Sequence, residues 1–154
     1  MIFQKNHRPV SAFTLIEILI VIAIIAILAS LVLAAASGVQ KKGARSRAEG
    51  EIAALGAALE SFKADNGDYP TNSVTNSSAC LVTNLMPTNG GKVYFEFKTK
   101  WIDANKNFLD PFGYSYNYIY TTNGSSNNGS NNYDLWSTAG QITDTNSVHW
   151  IKNW

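Results

Sequence analysis

The chain has 154 residues, a formal net charge of +1 and a single cysteine, Cys80. Its length holds one modest domain once a long apolar run near the N-terminus is set aside. The small charge, with Lys and Arg scattered after Arg47, argues against nucleic-acid binding, and one cysteine excludes an intrachain disulfide or a multi-cysteine metal site.

The first predicted element is the apolar run "FTLIEILIVIAIIAILASLVLAAA", residues 13–36, in which only Thr14, Glu17 and Ser30 are polar. As a helix rising about 1.5 Å per residue, its 24 residues measure roughly 36 Å. That exceeds a hydrocarbon core of about 30 Å. A cleaved secretory signal is the alternative, because "LAAASG" imitates a small-residue cut site, but such signals carry only about 7 to 15 apolar residues. Lys5 and Arg8 precede the run, whereas Lys41, Lys42, Arg45 and Arg47 follow it, so charge alone would reverse the orientation. A polar domain of about a hundred residues translocates largely regardless of charge, which places the N-terminal residues in the cytoplasm.

Glu17 is the only acid between Met1 and Ala48, and the nearest basic side chain is Arg8. A charged carboxylate in a bilayer helix is costly, rare and usually paired, so its partner is expected from another molecule. A cut between Ala12 and Phe13 would create a terminal amine about four residues from Glu17, able to meet the carboxylate of a neighbouring subunit and fix axial register. The alternative is a carboxylate that snorkels to the headgroups from a helix N-terminus, where the dipole favours an acid.

Helical periodicity continues to about Asp65, with Ile52, Leu55, Leu59 and Phe62 on one face and Glu49, Glu51, Glu60 and Lys63 toward solvent. "DNG" supplies the stop, with Asn66 or Gly67 as left-handed cap. Unbroken, this helix would exceed about 75 Å and protrude from any small globule. Gly38, Gly43, Gly50 and Gly56 are places to bend or to admit a close neighbour. The basic cluster from Lys41 to Arg47 suits lipid headgroups, acidic faces of adjacent subunits, or a solvated surface.

Beyond the turn-rich "DNGDYPTNS", a short helix is predicted near Ser78 to Met86, ended by Pro87. "KVYFEFK", "YSYNYIY" and "YDLWS" read as strands, separated by the "DPFG" turn and a polar loop from Thr121 to Asn132. An antiparallel sheet burying one face against the helix stripe gives an α+β domain with a projecting stalk. Cys80 and His149 are the only candidates for a nucleophile and base, in segments without a motif, so no enzyme is expected. The stripe Tyr114, Tyr116, Tyr118 and Tyr120 is either core or a sugar-stacking face, which keeps a membrane-anchored glycan-binding module as an alternative.

The segment "KNHRPVSAFTLIEILIVIAIIAIL" resembles the class III signal of type IV pilins and type II secretion pseudopilins. The resemblance implies a leader, residues 1–12, cut by prepilin peptidase after Ala12, with methylation of the Phe13 amine and Glu17 recruiting the incoming subunit. Ala12 stands where that family has Gly. "KADNGDYPT", "FLDPFGYSYNY", "YDLWS" and "IKNW" are similar to the major pseudopilin of type II secretion. The segment "GGKVYFEFKTKWIDANKN" is longer than in the simple form of that family.

The implied fold is pilin-like: a transmembrane and filament-core helix (13–37), its amphipathic continuation (38–66) and a periplasmic β-rich domain (67–154). The implied role is a structural subunit of a secretion pseudopilus in the bacterial inner membrane and periplasm, a type IV pilin being the alternative. Implied partners are lipid before assembly, other copies of itself, an inner-membrane assembly platform and minor pseudopilins. The family binds calcium after the Tyr-Asp-Leu strand through two aspartates, a serine and backbone carbonyls. In "STAGQITDTNSVHW", Ser137 matches and Asp144 is the remaining carboxylate, while Ala139 or Gly140 and Trp150 occupy the aspartate positions. Calcium takes about six to eight oxygens, so no cofactor is expected, Ser137 and Asp144 being the candidates should calcium bind. Packing of Trp136, Trp150 and Trp154 is the other way to hold this end.

Overall fold

The computed structural model describes residues 13–71, 78–120, 127–129, 131–141 and 147–154, apart from the side chains of 34–37. Helix α1 runs from Leu15 to Asn66, with Glu17 in its first turn and Lys63 in its last, each sign matching the helix dipole. The chain forms two compact units, Met1–Gln40 and Lys41–Trp154.

In the first unit α1 is apolar all round. Its most apolar 18-residue window has mean hydropathy 3.3 and is wholly unburied, so α1 is long and apolar enough to cross a membrane. Ser30, inside the run, returns its hydroxyl to the Ile27 carbonyl at 2.7 Å, which satisfies that donor within the helix.

In the second unit α1 buries Ala48, Ile52, Leu55, Ala58 and Leu59 in a single core. Gly67 closes the helix in the left-handed conformation (φ 86°), its N–H donating to the Lys63 carbonyl at 2.7 Å. Helix α2, Ala79–Leu85, contributes Leu81, Val82 and Leu85. Ser78 precedes it but does not cap it. Its hydroxyl instead accepts from Phe108 N–H at 2.9 Å, tying α2 to the later chain.

Strands β1 (Asn117–Ile119), β2 (Asp134–Ser137) and β3 (Ile151–Lys152) form an antiparallel sheet in the order β1-β2-β3. Tyr118 faces Leu135, and Trp136 faces Lys152. Tyr116, Tyr118, Tyr120, Tyr133, Leu135 and Ile151 join the α1 stripe in the core. This is an α+β, pilin-like fold: a long N-terminal helix with a small antiparallel sheet.

Two sequence expectations change. "KVYFEFK" is not a strand: Tyr94 and Phe95 N–H both donate to the Leu85 carbonyl, at 2.8 and 3.2 Å, which forecloses a ladder, and a 3-10 turn follows at Thr99–Trp101. The chain gains β3, too short for a period to show. The glycines leave α1 continuous, and of the two roles expected for them Gly56 takes the second, admitting a close neighbour, the Tyr133 hydroxyl, which would lie 3.0 Å from an added Cβ. Most of the polar loop lies outside the described residues.

Two carboxylates fasten the end of α1. Asp65 accepts from Lys92 Nζ at 2.5 Å and Tyr94 hydroxyl at 3.0 Å, contacts that hold its pKa below the ordinary value. Asp68 is lowered by the Tyr120 hydroxyl, then by the Tyr69 N–H. Because both titrate lower when folded, their stabilisation is present above the ordinary aspartate value of 3.8 and is lost as pH falls through the lowered values. Acid unfolding should therefore steepen below about pH 4, and Asp68→Asn should flatten that limb in a pH series of denaturant melts. In the same assay Leu55→Ala or Leu59→Ala should lose about 2–5 kcal/mol, and breaking the exposed Arg45–Glu49 pair should lose less than about 1 kcal/mol.

Candidate functional site

The first turn of α1 supplies the arrangement around Glu17. Thr14 donates to Glu17 Oε2 from its backbone N–H at 2.8 Å and from its hydroxyl at 2.7 Å. Glu17 N–H returns a bond to the Thr14 carbonyl at 3.2 Å and approaches its hydroxyl at 3.4 Å. This is a capping box, Thr-x-x-Glu, in which two helix-end donors and one carboxylate satisfy each other. Glu17 thus has a neutral partner three residues upstream, its signal already present in "TLIE", in addition to the cation that its charge leads one to expect from another molecule. Phe13 is exposed beside it, and Ala12 lies outside the described residues.

The second candidate region follows β2. Ser137, fully buried, donates to Asp110 Oδ2 at 2.5 Å and accepts from Ala139 N–H at 2.9 Å. Asp110 Oδ1 accepts from Phe112 and Tyr114 N–H, both at 2.9 Å, so this buried carboxylate organises the "DPFG" turn. Sequence reading took that segment only as a turn and missed Asp110 as the partner of Ser137. Asp144 lies outside the described residues. Trp136 stacks on Trp150 with centroids 5.9 Å apart and planes at 12°, and meets Trp154 edge-on at 5.7 Å.

The remaining candidates separate. Burial pushes the Cys80 thiol on α2 up to about 11, the wrong direction for a nucleophile. His149 sits in another element, the 3-10 turn Ser147–His149, its carbonyl accepting from Arg45 Nη1 at 3.1 Å. Tyr116, Tyr118 and Tyr120 are buried, which leaves Tyr114 alone exposed and dismantles the sugar-stacking face. Arg45 and Arg47 pair with Glu49 and Glu51, and Arg47 also lies over the Trp101 ring at 4.2 Å, while Lys41 and Lys42 are exposed.

A family model described as Type II secretion system (T2SS), protein G matches residues 36–154. The chain belongs to this family. A second model, the prokaryotic N-terminal methylation motif, matches residues 7–33. The type II secretion system core protein G of Pseudomonas aeruginosa is 34% identical over 118 residues, 74% of this chain and 76% of that protein. Its counterpart in Aeromonas hydrophila is 45% identical over 68 residues, 44% of this chain and 46% of that protein. For Vibrio cholerae the figures are 38% over 86 residues, 56% of each chain. The chain thus spans about half the length of the latter two relatives. No solved structure matches significantly.

Part of the implied calcium loop, Ser137 to Gln141 and Ser147 to Trp150, lies among the described residues. Ser137 Oγ is engaged in two hydrogen bonds, and at the position where the resemblance implies a carboxylate Trp150 places a buried indole N–H that has no partner among the described residues. Thr138 Oγ1, also buried without a partner, is one neutral oxygen. Among the described residues no three His, Cys, Asp or Glu side chains come together as a metal site. A hard cation seeks several charged oxygens, and the candidate carboxylate of this loop, Asp144, lies outside the described residues. Ser137→Ala should instead act through Asp110, leaving a buried carboxylate one donor short and costing about 2 kcal/mol in a thermal melt.

Proposed function

We propose that this chain is a structural subunit of a type II secretion pseudopilus, held in the inner membrane through the N-terminal part of α1 and polymerised into a periplasmic filament. The observation that carries the reading is an α1 whose large apolar side chains from Phe13 to Leu33 are all at least 51% exposed, in a chain that matches the protein G family over residues 36–154. A surface of this kind is stable in lipid or among other helices, and in the family both environments are used in turn.

The chemistry is assembly, without a catalysed reaction. Prepilin peptidase removes residues 1–12 after Ala12 and methylates the Phe13 amine, which stays cationic. While the subunit waits in the membrane, Thr14 satisfies Glu17 from within the same chain. On docking, the Phe13 amine of a neighbouring copy offers the carboxylate a charged donor, and charge-assisted hydrogen bonds are roughly twice as strong as neutral ones. The bond is short-ranged and sits in an apolar setting, so it fixes axial register as each helix passes from lipid to a packed core of like helices. The assembly platform and minor pseudopilins are the remaining partners of this scheme. A type IV pilus would use the same N-terminus; the family match over the rest of the chain favours secretion.

Glu17→Val is expected to insert into the membrane at normal levels and to be absent from filaments, read as loss of crosslinked ladders in membranes of the producing cells; ladders of normal length would overturn the scheme. Intact-mass measurement of the wild-type chain should find residues 1–12 gone and one methyl group added, and a retained leader in cells that process other prepilins would contradict it.

A further inference from the structure

We infer that the loop after β2 is closed without calcium, and that a tryptophan clamp joining β2 to β3 holds the C-terminal end in the place the family gives to the cation. The loop runs from Thr138 to Trp150 between the paired residues Ser137 and Ile151. Closing a loop of this length carries an entropic cost that some set of contacts must offset.

Those contacts are on the sheet. Trp136 of β2, 7% exposed, lies between two rings, Trp150 stacked at 5.9 Å and Trp154 edge-on at 5.7 Å. Lys152, paired in register with Trp136, covers the outer face of Trp154 with its ammonium 5.0 Å from the centroid. Asn153 completes the seam: its backbone N–H donates to the Leu135 carbonyl at 3.2 Å, its Oδ1 accepts from Leu135 N–H at 2.9 Å, and its Nδ2 donates to the Tyr133 carbonyl at 3.2 Å. The side chain thus extends the β2–β3 pairing by one residue beyond Lys152. At the other end of the loop, the Ser137 hydroxyl that would face a cation holds Ala139 N–H and Asp110.

Two substitutions make the arrangement self-consistent. Where the family implies carboxylates, this chain has Ala139 or Gly140, in the left-handed conformation (φ 53° and 81°), and Trp150. Replacing an acid by an indole at 150 removes a ligand and adds the stacking ring in one step. At the tight turn 139–140 a Cβ added to Gly140 would lie 3.6 Å from the Tyr114 ring, an ordinary contact, so what disfavours a side chain there is the left-handed φ of 81° rather than lack of room.

The experiment is carried out on the full chain in detergent micelles. Thermal unfolding is followed by the near-ultraviolet dichroism of the tryptophans, in EGTA and in calcium at about 10 mM, above the range of weak extracellular sites. Terbium luminescence sensitised by the neighbouring indoles reports direct occupancy. The clamp gives the same midpoint in both media and no saturable terbium emission. Trp150→Ala should lower the midpoint by about 10 °C, while Trp150→Phe, which keeps a ring against Trp136 and drops the unpartnered N–H, should stay near wild type. A calcium-dependent rise of about 5 °C or more, the least that a site filled at ten times its Kd would give, overturns the inference. So does saturable terbium emission lost in Ser137→Ala or Asp144→Asn, or a Trp150→Ala chain that melts with the wild type. Should Trp150→Ala fail to fold, the two wild-type measurements still decide. None of these outcomes bears on Glu17, so the clamp can fail while the assembly reading stands.

Discussion

Fifteen large apolar side chains between Phe13 and Leu33 stand exposed on one helix. Fully burying a side chain of this kind is worth roughly 1.5–3 kcal/mol, so together they outweigh the net stability of an ordinary domain, about 5–15 kcal/mol. Water is therefore not an available environment for this part of the chain. Lipid and a bundle of identical helices are, and the two are nearly equal in apolar character. That near-equality is what makes a transfer between them feasible, and it leaves the direction and register of transfer to the few polar groups in the run. Ser30 is satisfied by its own helix. Glu17 is held by Thr14 through neutral donors.

The second unit solves a different problem, that of fixing one helix to a sheet of only three short strands. Tyrosine hydroxyls do much of it. Tyr116 donates to Glu51 at 2.8 Å, Tyr69 to Glu60 at 2.6 Å, Tyr118 to the Pro70 carbonyl at 2.9 Å, and Tyr120 to Asp68. Burial, with the adjoining carboxylate second for Tyr116 and Tyr69, raises the pKa of Tyr69, Tyr116 and Tyr118 far above the ordinary value, and the Asp68 hydrogen bond, with burial second, raises that of Tyr120, which keeps these phenols protonated donors. Each ring fills the core while its oxygen reaches a carboxylate or carbonyl at the margin. The arrangement explains why Glu51 and Glu60, which periodicity assigns to solvent, act as attachment points.

This division also sets what the sequence could disclose. The α1 stripe was legible because Ile52, Leu55 and Leu59 repeat at helical spacing over several turns, and "DNG" ends the repeat with the one residue suited to φ 86°. The tyrosine stripe was legible as a strand face, although only Asn117–Ile119 enters the ladder. "KVYFEFK" misled because its aromatic composition suits a strand, while what decides the matter is a remote acceptor, the Leu85 carbonyl, that takes two of its N–H groups. Strand β3 depends on a partner thirteen or more residues away and has no local pattern. The Thr14–Glu17 bond was present in the sequence as a capping spacing, and was obscured by treating the carboxylate only as a charge in need of a cation.

The two solutions impose opposite demands on polar chemistry within one helix. At Glu17 the carboxylate is held by a capping box: its donors are neutral, its atoms lie at the first turn, and helix ends open at little cost. In the second unit the demand is for partners that stay fixed inside a packed domain. Asp110 and Asp134 meet that demand with bonds inside the fold: Asp110 to Ser137 and its own turn, Asp134 to the backbone of Asn127 and Asn128 at 2.7 and 3.2 Å. The polar contacts at residue 17 are thus neutral and at a helix end, while those of the second unit are carboxylates buried among backbone and hydroxyl donors.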